Sequence, residues 1–189
     1  MKLSKLSKTL IIASSVWYFG EGLFGPLFAV FAEKVGGDIL DITWAWAAYL
    51  IATGVFYVLV GKIINKSKYK KQVMVGGYAL NAILTFGYLF VHNTTSLLII
   101  QVGLGIAEAL STPIWDSLFA SNLEDTENTF HWGLATGHTH FISGIAIAVG
   151  GLIANYFSFN TLFIIMGCIQ VAATIIQFRV IKLSSNNKV

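Results

Sequence analysis

The sequence predicts an all-α integral membrane protein, with six transmembrane helices forming a 3+3 inverted repeat within one domain, 1–189. Three observations lead there. The chain is 56% hydrophobic and only 11% charged, with a mean hydropathy of +0.72, whereas a soluble domain carries about 25% charged residues. Six apolar segments follow one another at 10–31, 43–64, 73–91, 96–120, 133–156 and 161–181. A short pattern, a glutamate five residues before a proline, occurs once in the first segment and once in the fourth, as Glu21 to Pro26 and Glu108 to Pro113.

Each segment is long enough to cross a hydrocarbon core of about 30 Å as a helix. Stretches rich in β-branched residues, such as 55–60, do not argue for strands, because an open strand in a bilayer leaves its backbone groups unpaired. The basic N-terminus precedes an apolar run that continues to Phe31, so the first segment reads as a retained helix rather than a cleaved leader.

Charge placement orients the six spans. Lys2, Lys5 and Lys8 precede the first segment; Lys62, Lys66, Lys68, Lys70 and Lys71 mark the second junction; Arg179, Lys182 and Lys188 follow the last. With six spans, 11 of the 12 basic residues fall on one side and only Lys34 on the other. This asymmetry predicts a multi-pass protein of the cell (inner) membrane with both termini cytoplasmic. It also accounts for the net charge of +3 without a nucleic-acid partner. The acidic connection at 122–128 lies on the lysine-rich side, either as a solvated loop or as a latch between two loops. The last residues, 183–189, read as a short disordered tail. Asn93-Thr94-Thr95 matches a glycosylation acceptor by chance, in a loop close to the membrane.

The repeat extends past the first helix. Gly54, Gly61 and Asn65 in the second segment correspond to Gly144, Gly151 and Asn155 in the fifth, at an offset of 90 residues against 87 for the glutamates. The two triplets, about 8–92 and 95–182, then run in opposite senses, as in transporters whose binding site lies at the midplane between inverted repeats.

Several stretches resemble the major facilitator superfamily, and specifically one six-helix half of it. Gly61, Asn65 and Lys66 followed by Lys70 and Lys71 resemble the family's loop between its second and third helices. Gly103-Leu104-Gly105 with Pro113 is similar to its fourth helix, and Gly150 to Ala154 leading into Phe163 is similar to its fifth-to-sixth passage. Asn65 stands where the family usually has aspartate, Lys68 where it has glycine, and Ile99 where the fourth helix often carries arginine. The resemblance implies alternating access, with the first and fourth helices lining a central cavity and the 61–71 loop gating it. The family's ordinary member has two such halves. A chain of one half implies a parallel twofold homodimer, with a heterodimer or a piece of a longer chain as the alternatives.

Candidate site residues follow from depth. Glu21 and Glu108 lie about 11 and 12 residues into their segments, near the midplane, where a carboxyl is costly and is a functional candidate by default. Such a group can exchange protons, or it can simply hydrogen-bond between helices. Pro26 and Pro113 free the carbonyls of Gly22 and Ala109 and predict helix kinks. Asp116 lies two turns beyond Glu108, level with His138 and His140. These histidines are two apart and point to nearly opposite sides, so at most one meets Asp116. His140, on the more polar face, is favoured. Their spacing does not suit a zinc site. Trp17, one turn before Glu21, is either packing or an aromatic partner for a cation beside the acid. Trp44, Trp46 and Trp132 read as membrane-interface anchors.

Small residues on the fifth segment, Gly133 with Gly137 and Ala146 with Gly150 and Ala154, predict close helix contact. Cys168 is a lone buried thiol. No nucleophile, metal, cofactor or nucleotide motif points to an enzyme. The functional expectation is a proton-coupled secondary transporter of a small polar or cationic solute. A non-transporting membrane subunit is the alternative.

Overall fold

A computed structural model describes residues 4–122 and 128–183, and the described residues contain helices and turns but no strand. The helices are α1 (Lys5–Gly22), α2 (Leu27–Lys34), α3 (Ile39–Ile64), α4 (Lys70–Gly87), α5 (Thr94–Ala120), α6 (Asn128–Tyr156) and α7 (Phe159–Phe178). Short 3₁₀ turns follow α4 and α7 at Tyr88–Phe90 and Arg179–Lys182. Five of these helices are long and apolar enough to cross a membrane, and α1 with α2 makes a sixth candidate span bent by 46°. The acidic loop and the C-terminal tail singled out above lie outside the described residues, apart from Asn122, Asn128 and Leu183.

The first segment departs from expectation. It is not one helix but two, broken at 23–26. Pro26 has no N–H to donate, and α2 starts immediately after it. The carbonyl of Glu21 accepts from the N–H groups of both Phe24 (3.2 Å) and Gly25 (3.3 Å), and the turn tightens there. Pro113, by contrast, lies inside the unbroken α5. The two copies of the Glu–Pro pattern therefore share residues but not backbone shape.

Local chemistry sets the helix ends. Gly36 closes α2 at φ 90°, a left-handed conformation that favours glycine. The N–H groups of Gly36 and Gly37 reach back to the carbonyls of Glu33 (3.0 Å) and Ala32 (2.9 Å), the Schellman pattern. Asp38 then caps α3, accepting from Leu40 and Asp41 while Asp41 accepts from the Asp38 N–H. This cap starts α3 four residues before the apolar run. Asn93 of the apparent glycosylation triplet is the N-cap of α5, paired with Ser96. Ser4 and Ser158 cap α1 and α7.

The main helix packings are α3 against α5, α5 against α4, α4 against α7, α7 against α1, and α1 against α6. Small residues allow the close approaches. A Cβ on Gly150 would overlap the Leu23 carbonyl, so α6 lies directly on the α1 break, and Ala146 meets Gly22 at the same place. A Cβ on Gly105 would come within 2.6 Å of the Tyr49 carbonyl, which seats α3 on α5. Gly133 and Gly137, which also suggested close packing, face open space.

Two apolar cores sit at opposite ends of the bundle. One gathers Phe24, Phe28, Phe31, Tyr88 and Phe163 around α2, with Phe31 and Phe163 rings 4.8 Å apart edge to face. The other gathers Leu6, Leu10, Met74, Leu118 and Phe119. The outermost helices, α3 and α6, bury only 6% and 11% of their apolar windows, against 44% for α4 and α5.

Candidate functional site

Two neighbouring cavities share part of their linings. Trp17, Tyr18 and Thr112 line both of them. The larger, of about 290 Å³, carries Glu21 and Glu108 together, with Tyr49, Asn81, Gln101 and Ser143 also on its surface. Helices α1 and α5 thus bring the two repeated glutamates to one space.

The acids are held differently. Glu21 Oε1 accepts from Asn81 Nδ2 of α4 (2.8 Å) and from Gln170 Nε2 of α7 (3.1 Å). Both amides are essentially inaccessible, and Gln170 also donates to the Trp17 carbonyl at 3.1 Å. Glu108 accepts instead from two phenols of α3. Tyr57 donates to Oε1 at 3.1 Å, and Tyr49 donates to Oε2. Tyr49 and Tyr57 are eight residues apart, two turns along one helix face. Four donors from three helices therefore converge on two partly buried carboxyl groups, which lowers the cost of withdrawing them from water.

The second cavity, of about 250 Å³, is lined by Asp116 and His140 together with Trp17, Trp115 and Trp132. His140 thus shares a cavity with Asp116. His138 does not; its Nδ1 lies 3.0 Å from Ser15 Oγ on α1. Trp115 is anchored by its indole N–H, which donates to the Leu10 carbonyl at 3.1 Å, and it stacks on Phe119 at 4.9 Å. Trp17 stands edge-on to Tyr78 at 4.3 Å.

Trp132 and Trp46, expected only as interface anchors, line the smaller and the larger cavity respectively. Both are partly exposed as well, and Trp44 is exposed without lining either.

The lysine-rich junction meets Pro113. Gly61, Asn65 and Lys70 surround a space of about 80 Å³ together with Pro113 and Ser117. Lys66 lies in the turn between α3 and α4. Lys71 Nζ donates to the carbonyl of Leu183, tying the start of α4 to the end of the 3₁₀ turn that follows α7. Cys168, expected to be buried, is exposed on α7. Among the described residues, no group of three or more His, Cys, Asp or Glu could hold a metal ion.

Sequence reasoning passed over Tyr49, Tyr57, Asn81 and Gln170. The amides left a signal: Asn81, Gln101, Gln170 and Gln177 interrupt apolar runs, where an unpaired amide is costly. The tyrosines left none, since tyrosine is ordinary in such a helix.

The family model described as Major Facilitator Superfamily matches residues 10–188. The chain is 25% identical over 177 residues to an uncharacterized MFS-type transporter, MJ1560, of Methanocaldococcus jannaschii, covering 94% of this chain and 46% of that one. It is 28% identical over 134 residues to the proton-coupled antiporter flippase LtaA of Staphylococcus saprophyticus, covering 69% of this chain and 34% of the relative. Against these two the chain spans half their length or less. It is also 21% identical over 150 residues to an uncharacterized MFS-type transporter, YitZ, of Bacillus subtilis, covering 77% of this chain and 88% of that relative. With apolar spanning helices and a match over nearly its whole length, the chain belongs to the major facilitator superfamily.

Proposed function

We propose that the chain is one unit of a secondary active transporter, working as a parallel homodimer in the cell membrane with both termini cytoplasmic. In this reading it couples the passage of a small polar or cationic solute to protons. The observation that carries it is the convergence of Glu21 and Glu108 on one cavity. Among the described residues, no lysine or arginine lines either of the two cavities, which favours a cation or neutral solute over an anion. The name of LtaA, a proton-coupled antiporter, agrees with proton use by membrane-embedded acids.

The inverted repeat has support in the packing. Helix α5 lies on α3 and α4, and α1 lies on α6 and α7, so exchanging the first three spans for the last three maps one set of pairings onto the other. The homodimer has support in YitZ, of which this half-length chain covers nearly the whole, and in the largely unburied flanks α3 and α6.

Reconstitution into proteoliposomes under a pH gradient tests the coupling. Gradient-driven transport is expected from the native chain and is expected to be lost in Glu21→Gln and Glu108→Gln. Retained gradient-driven transport in both variants would overturn proton coupling through these acids.

One observation favours a second reading, that of a non-transporting subunit or half of a heteromeric transporter. Each acid already accepts two hydrogen bonds within the chain, as a purely structural carboxyl would. Native mass determination in mild detergent separates the two, since a strict monomer is incompatible with the homodimeric transporter.

A further inference from the structure

We propose that the cavity between α1, α5 and α6 binds a small organic ammonium cation, with Asp116 as its counter-charge and the indoles of Trp17, Trp115 and Trp132 as its walls. This narrows the substrate class of the transporter reading and rests on it for biological purpose, although binding itself does not require transport.

Three carboxyl groups line the two cavities, and they differ in what already holds them. Glu21 accepts from two amides and Glu108 from two phenols. Asp116, among the described residues, receives neither a hydrogen bond nor an ion pair, and its side chain is exposed to the cavity. Asp116 is an exposed carboxylate on a tryptophan-rich lining, and among the described residues no Lys or Arg lines the cavity to neutralise it. Among the described residues, His140 is the only other titratable group on the lining apart from the phenols of Tyr18 and Tyr78.

The walls suit an alkylammonium. A cation against indole faces is attracted by the ring quadrupole, most strongly for tryptophan and most when water is displaced. The rings are held in place before a ligand arrives. Trp115 is fixed by its bond to Leu10 and its stack on Phe119, Phe119 meets Trp132 edge-on at 5.1 Å, and Trp17 rests on Tyr78. Preorganised walls reduce the ordering cost of binding. Size limits the guest: a cavity of about 150 Å³ accommodates benzene, so about 250 Å³ fits one aromatic ring or short alkyl chain bearing a trimethylammonium group.

The test uses the purified full chain in mild detergent, titrated with benzyltrimethylammonium and read by tryptophan fluorescence and calorimetry. All titrations are made at one fixed, mildly alkaline pH. Saturable binding is expected, with neopentylbenzene (the uncharged isostere) and phenylacetate weaker by about tenfold or more. Asp116→Asn is expected to weaken binding by about tenfold or more, and Asp116→Glu to retain most of it. Trp132→Leu, at a partly exposed position, is expected to weaken it between about twofold and thirtyfold.

Absence of saturable binding by folded native chain would overturn the proposal. So would equal binding of the uncharged isostere, or unchanged affinity in Asp116→Asn. Should Asp116→Asn fail to fold, the isostere comparison and Trp132→Leu still decide. Gradient-driven transport without ammonium binding removes this proposal and leaves the transporter reading; binding without any transport does the reverse.

Discussion

Glu21 and Glu108 occupy matching places in the sequence, yet amides hold one and phenols hold the other. Asn81 and Gln170 place both their donors on a single oxygen of Glu21, leaving Oε2 without either of them, whereas Tyr49 and Tyr57 cover both oxygens of Glu108. Removing a buried donor costs the desolvation of the acceptor left behind. Asn81→Ala is therefore expected to destabilise the folded chain by about 1–3 kcal/mol, seen as a lower thermal unfolding midpoint in detergent. Tyr57→Phe keeps the ring and removes one donor, and about 1 kcal/mol is expected from the same measurement. An unchanged midpoint in both variants would mean that neither bond persists in the detergent-solubilised protein.

At the scale of the element, the break between α1 and α2 is the feature most dependent on its neighbour. Pro26 starts it, and α6 accommodates it by carrying Gly150 where the Leu23 carbonyl passes. Gly150→Leu has no room and is expected to abolish stable folding, measured as loss of monodisperse protein in detergent. Gly144→Leu, six residues earlier on the same helix with nothing nearby, is expected to be tolerated. Comparable yields of the two variants would contradict the α1–α6 contact. The turn between α2 and α3 offers an independent check. Gly36→Ala forces a Cβ into a left-handed conformation, with an expected cost of about 1–2 kcal/mol.

At the scale of the whole molecule, the described bundle buries its middle helices and leaves both flanks open. Val58 on α3 is 71% exposed and Ile145 on α6 is 45% exposed. In a homodimer of half-transporters these flanks form the seam between copies. With Cys168, the single native cysteine, changed to serine, a cysteine at Val58 or Ile145 is expected to crosslink two copies in native membranes, read as a species of doubled mass. Crosslinking at neither site, with intact transport, would place the seam elsewhere.

Much of the architecture was legible in the chain itself, because a bilayer leaves few choices. Backbone groups must be satisfied internally, so apolar runs of the right length become helices, and the rarity of acids among them pointed to Glu21, Glu108 and Asp116. The Glu–Pro pattern suggested the repeat, while the lysine-rich junction, Gly103 to Gly105 with Pro113, and Gly150 to Ala154 into Phe163 carried the likeness to the family. The tertiary structure alone decided which helix faces met. It broke the first span but not the fourth around the same proline, because the backbone at 22–26 packs on α6 while Pro113 lies within a continuous helix. It put His140 on the same cavity as Asp116 and turned His138 toward Ser15, and it brought Tyr49, Tyr57, Asn81 and Gln170 to the two glutamates. A one-dimensional pattern reports depth and periodicity. Which donor reaches which acid depends on how separate helices are rotated and spaced, and that is settled by side-chain packing between residues far apart in the chain.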